Sequence, residues 1–104
     1  MNGTPATAAA GGSLQQQNCW QVYIILCTDN SLYTGITTDI DRRFHQHATG
    51  RGARYFRGRQ PLQVVYREAG HSRSSAAVRE LQIKTLSRAD KVMLIAQHTP
   101  PAQH

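Results

Sequence analysis

The stretch Trp20-Gln21-Val22-Tyr23-Ile24-Ile25-Leu26-Cys27-Thr28-Asp29-Asn30-Ser31-Leu32-Tyr33-Thr34-Gly35-Ile36-Thr37 decides the fold. Residues 20–28 are mostly β-branched, aromatic or aliphatic, Asp29-Asn30 is a turn signal, and Ser31 to Thr37 extends again, which predicts an antiparallel hairpin. Alternation along the second strand puts Leu32, Thr34 and Ile36 on one face and Tyr33, Gly35 and Thr37 on the other. Tyr23 and Tyr33 therefore stand on neighbouring strands. A glycine weakens a strand interior, so Gly35 predicts a close approach to the backbone, with a phosphate the expected visitor.

Downstream, Thr38 is the predicted N-cap of a helix over roughly 39–49, with Asp39 and Asp41 opposing its macrodipole and Gly50 closing it. Ile40, Phe44 and Ala48 form its apolar stripe, while Arg43 and His47 sit one turn apart on the flank, facing a cleft beside the sheet. Taken singly, Arg43 would pair with Asp39 and His47 would be a surface or packing residue. The next segment holds Arg51, Arg54, Arg57 and Arg59 among Gly52, Ala53 and Gly58, interleaved with Tyr55 and Phe56. Arginines alternating with aromatics predict contact with phosphates and stacked bases, against the alternative of a solvated basic loop with one ring tucked inside.

After Pro61, residues 62–69 read as a third strand, residues 74–86 as a helix, and a last helix starts near Ser87, where Ser87-x-x-Asp90 resembles a capping box. The order β-β-α-loop-β-α-α predicts an α/β (α+β) domain, a small three-stranded, mostly antiparallel sheet flanked by helices. Glu80 falls between Ala76 and Ile83 on one side and Ala77 and Leu81 on the other, an acid interrupting an apolar face. The ordinary role for such a residue is an ion pair with Lys84, one turn on. A lone carboxylate is also how Mg²⁺ is often held, since that ion keeps most of its waters.

The charge pattern points the same way. All 12 Lys and Arg and all 6 Asp and Glu lie between Asp29 and Lys91, so a net charge of +6 is concentrated in the middle of a 104-residue, single-domain chain. Such a domain is expected to seek polyanions, nucleic acid first. No apolar run of spanning length or basic amphipathic stretch suggests a membrane. Cys19 and Cys27, at the two ends of one strand roughly 26 Å apart, are too distant for a disulfide or a shared metal, which fits a reducing, cytoplasmic setting. Residues 1–18 are expected to be a disordered leader, residues 19–97 the folded unit, and residues 98–104 a flexible tail.

Gln21-Val22-Tyr23, Tyr33-Thr34-Gly35, Arg43 on the following helix and Glu80 on a late one, taken in order, resemble the GIY-YIG nuclease superfamily. Leu32 to Thr37, Arg42-Arg43-Phe44, Gly50 to Arg59, Glu80 and Ile83-Lys84 are similar to its small single-domain proteins of the YhbQ (UPF0213) type. The resemblance implies metal-dependent hydrolysis of phosphodiester bonds in DNA. Tyr23 or Tyr33 would position and deprotonate the attacking water, Arg43 would offset charge on the phosphate, Glu80 would hold Mg²⁺ or Mn²⁺, and His47 would relay a proton. Gly35, Arg51, Arg54, Tyr55, Arg57 and Arg59 would contact the nucleic acid, favouring structure or single strands over base sequence, in repair or recombination. The chain departs from the pattern at Gln21, where glycine is usual, at Ile36, where some members carry lysine, and between Val92 and Ile95, where many carry asparagine. These departures support the alternative of a non-catalytic nucleic-acid-binding module on the same scaffold.

Overall fold

A computed structural model describes residues 18–98. Strands β1 (Trp20–Cys27), β2 (Leu32–Thr37) and β3 (Pro61–His71), helices α1 (Ile40–Ala48), α2 (Arg73–Lys84) and α3 (Arg88–His98), and a 3-10 turn at Arg54–Phe56 follow the expected order. The sheet runs β2-β1-β3 and both pairings are antiparallel. The leader and tail expected at the two ends lie outside the described residues except for Asn18 and His98, and His98 closes α3.

The hairpin turns where the sequence places it. Asn30 takes the left-handed conformation at φ 69°, and Asp29 Oδ1 accepts from the Ser31 amide at 3.0 Å, an Asx turn that lets the chain reverse. Alternation on β1 then splits the core in two. Val22 and Ile24 face one side with Tyr66, Ala76 and Ile83, under α2 and α3. Tyr23, Ile25 and Cys27 face the other with Ile40 and Phe56, under α1 and the 3-10 turn. Cys19 is exposed, Cys27 is buried, and neither is in a disulfide.

Helix α1 is capped one residue later than expected. Asp39, not Thr38, is the N-cap, because its carboxylate accepts from the Arg42 amide at 3.0 Å while Thr37 Oγ1 holds the Asp39 amide. At the far end the Arg51 amide donates to the Gln46 carbonyl and that of Gly50, at φ 82°, to the His47 carbonyl, a Schellman closure that aims the chain into the basic segment. Helix α2 starts at Arg73 on a capping box between Ser72 and Ser75. Ser87 Oγ accepts from the Asp90 amide at 3.1 Å and starts α3, as the spacing predicts.

Candidate active site

Antiparallel register sets Tyr23 directly across from Gly35. A Cβ at position 35 would lie 2.5 Å from the Tyr23 hydroxyl and 3.0 Å from Tyr33 Cε2. The close approach expected at Gly35 is therefore made by the Tyr23 phenol, not by a phosphate. Glycine is required because a phenol must cross the β2 backbone to reach its outer edge.

His47 holds that phenol in place. Its ring is buried from α1, stacked on Phe56 at 4.2 Å between centroids. The Ala53 amide donates to His47 Nδ1 at 3.2 Å. A backbone N–H is an obligate donor, so Nδ1 is the acceptor and the ring proton sits on Nε2, which donates to the Tyr23 hydroxyl at 3.0 Å. Gly52 permits the arrangement, since a Cβ there would fall 2.0 Å from Nδ1. With both ring nitrogens engaged and the side chain buried, His47 holds the Tyr23 hydroxyl in place.

Burial, with Arg43 nearby, pushes the His47 pKa from 6.5 down to about 4. The unfolded chain takes up a proton near pH 6.5 and the folded chain only near 4. The folded state's full advantage is therefore present above the higher value, is lost as pH falls between the two, and levels off below. The expected loss across that window is roughly 3 kcal/mol, read as a falling urea midpoint, and His47→Asn should flatten the slope. A wild-type midpoint unchanged between pH 7 and pH 4.5 would show that the ring is not held neutral.

Tyr33 is the other phenol, half-buried against Phe56 and Tyr55 with ring centroids 4.8 and 5.1 Å away. Burial raises its pKa, while Lys84, Arg43 and a hydrogen bond from Tyr23 pull it down and Glu80 pushes it up. Tyr23 is raised further, first by burial and then by the Tyr33 charge, although Arg43 opposes this. The phenols are therefore inequivalent. Burial holds Tyr23 the more firmly protonated, while Arg43 acts on both phenols and Lys84 on Tyr33.

Arg43 on α1 donates through Nη1 to Gln46 Oε1 at 2.9 Å, and its charge bears on both phenols. It forms no ion pair with Asp39, whose carboxylate is committed to the helix cap. Glu80 comes from α2, which packs against β1 and β2. Its Oε2 pairs with Lys84 Nζ at 3.2 Å, and its side chain keeps 23% exposure. It is thus a boundary residue, not the acid within an apolar face that the sequence suggests, because Ala77 and Leu81 point outward. Lys84, expected from the sequence as a partner for Glu80, also bears on the Tyr33 phenol through its charge.

The basic segment divides. Arg59 Nε donates to Asp29 Oδ2 at 2.9 Å, Nη1 donates to the Tyr55 carbonyl, and the guanidinium covers the Tyr55 ring at 4.1 Å. Phe56 is buried. Arg59, Tyr55 and Phe56 therefore pin the loop to the hairpin turn, correcting the expectation of free stacking rings. Arg51, Arg54 and Arg57 are exposed, and among the described residues no acid pairs with them. They are the loop's exposed cations.

Among the described residues no three His, Cys, Asp or Glu side chains gather to hold a metal. One carboxylate beside two phenols fits a hard divalent ion of the Mg²⁺ or Mn²⁺ kind, whose remaining ligands are waters and substrate phosphate. No described helix is long and apolar enough to cross a membrane.

Comparison with known proteins shows the family. The family of the GIY-YIG catalytic domain matches residues 19–93. A UPF0213 protein of Natronomonas pharaonis is 49% identical over 78 residues, covering 75% of this chain and 92% of its own. The solution structure of a UPF0213 protein from Bacillus halodurans is 45% identical with a TM-score of 0.51, covering 79% of this chain and 87% of its own. A solution structure of a protein from E. faecalis is 32% identical with a TM-score of 0.51, covering 81% and 91%.

Proposed function

The chain belongs to the GIY-YIG nuclease family, alongside the UPF0213 proteins, and we propose that it is a metal-dependent endonuclease hydrolysing phosphodiester bonds in DNA. Its targets in this reading are single-stranded or branched DNA, in repair or recombination within the cytoplasm. The observation that carries the proposal is the pair of phenols Tyr23 and Tyr33, ring centroids 6.2 Å apart and both close over Gly35, with the charges of Lys84, Arg43 and Glu80 acting on Tyr33.

Phosphodiester hydrolysis needs a deprotonated water in line with the leaving oxygen, and positive charge for the phosphoryl oxygens. Tyr33 accepts the proton from water, helped by the cations of Lys84 and Arg43. Tyr23, locked by His47, donates a hydrogen bond that fixes the Tyr33 oxygen. Arg43 faces the phosphoryl oxygens. Glu80 would hold Mg²⁺ or Mn²⁺, which when bound supplies Lewis-acid stabilisation of the leaving oxygen. Arg51, Arg54 and Arg57 hold flanking phosphates, which secures the strand without reading its sequence.

Labelled single-stranded, duplex and branched DNA, incubated with Mg²⁺ or Mn²⁺, test the reading. The wild type should cleave in a metal-dependent way, and Glu80→Ala should lose about a hundredfold or more in rate. Equal cleavage by both proteins would place the activity elsewhere. Steeply salt-dependent binding with no cleavage would mark a binding module on the same scaffold.

A further inference from the structure

A cleft of about 390 Å³ opens beside Arg43, where β1 begins, β2 ends, and α1 and α2 start. Its wall includes Trp20, Ile36, Asp39 and three arginines, Arg42, Arg43 and Arg73. The lining thus sets three cations against one carboxylate, and that carboxylate is turned to the Arg42 amide as the helix cap. Arg42 and Arg73 are exposed, and among the described residues neither has an acid partner. Trp20 is half-buried, packed on one side against the core, with the Arg73 guanidinium 5.5 Å from its ring centroid. A face that holds a guanidinium by cation–π attraction also takes a nucleobase. The volume lies at the small end of ligand sites, the size of one nucleotide.

We propose that this cleft is a subsite for one unpaired nucleotide of the substrate strand, adjoining the scissile phosphate. Its base stacks on Trp20 in exchange for Arg73, and its phosphate is held by the released Arg73 together with Arg42. Arg43 lines both the cleft and the tyrosine site, so the strand passes from one to the other without a gap. A paired base has both faces occupied by its neighbours and cannot make the stack. The subsite therefore gives the enzyme its preference for single-stranded or locally opened DNA. The inference rests on reading the adjoining site as one that cleaves DNA, and it supplies a reason for the substrate class.

Trp20 is the only tryptophan in the chain, so its fluorescence reports on this cleft alone. The full chain, in EDTA to prevent cleavage, is titrated with an oligothymidylate of roughly eight nucleotides and with an abasic oligomer of equal length and charge. Oligothymidylate should quench Trp20 and bind about tenfold or more tightly than the abasic strand. Arg73→Ala should weaken both and lower the slope of log affinity against log salt by about 1. Equal quenching by the two oligomers, binding by anisotropy without quenching, or no binding would each overturn the subsite. Cleavage of DNA without base-dependent quenching would leave the nuclease and remove the subsite. Base-dependent quenching by a protein that never cleaves would keep the subsite and remove the nuclease.

Discussion

Replacing Arg43 with alanine is expected to slow DNA cleavage about a thousandfold or more, with little change in stability. The rate falls by two routes. In the proposed reaction the guanidinium would face the oxygens that gain charge as the phosphate is attacked, where its planar fork suits their geometry. It also belongs to the pair of cations that lower the Tyr33 pKa, so its removal makes the phenol a scarcer base. The fold loses little, because the hydrogen bond of Arg43 to Gln46 lies within one helix and α1 keeps its cap and its Schellman closure. Arg43→Lys should recover only part of the rate, since an ammonium keeps the charge but not the fork. Single-turnover rates with saturating enzyme, set beside thermal melts, separate the two effects. A rate for Arg43→Ala within about tenfold of wild type would remove Arg43 from the reaction.

The hairpin was legible because each of its signals is local. Alternation, the Asp29-Asn30 turn and the two tyrosines need only a few neighbouring residues to be read. Helix ends were less exact for the same reason. Thr37, Thr38 and Asp39 all offer a capping oxygen, and Ser72, Ser74 and Ser75 do so again, so the sequence offers several starts and the backbone takes one. The basic segment was misread where its partners are distant. Arg59 is claimed by Asp29, 30 residues earlier, and no local pattern announces that pairing. Gly35 was singled out for the right reason with the wrong visitor, because the register that sets Tyr23 across from it is a property of the paired strands. Glu80 lies on the rim because α2 buries only Ala76 and Ile83 fully, leaving Leu81 64% exposed. Lys84 gains its second role only when α2 packs beside β2, which puts it near Tyr33.

The two phenols are expected to answer to phenylalanine in opposite ways. Tyr33→Phe removes a half-buried hydroxyl whose ionisation the charges of Lys84, Arg43 and Glu80 influence, so cleavage should fall about a hundred- to ten-thousandfold. If Tyr33 is the base, the wild-type rate climbs with pH as more of the phenol ionises, and that climb should vanish in Tyr33→Phe. Tyr23→Phe removes the acceptor of the buried His47 Nε2–H. An unsatisfied buried donor costs about 1–3 kcal/mol, so this variant should melt earlier, and its smaller loss of rate should keep the pH dependence of wild type. The contrast follows from burial and bonding. Tyr23 lies 1% exposed, hydrogen-bonded to His47 and held protonated by burial, whereas Tyr33 is half-buried and feels the charges of both Lys84 and Arg43. A Tyr23→Phe enzyme without the alkaline climb, beside a Tyr33→Phe enzyme that keeps it, would exchange the two roles. Both variants keeping it would put the proton on some other acceptor.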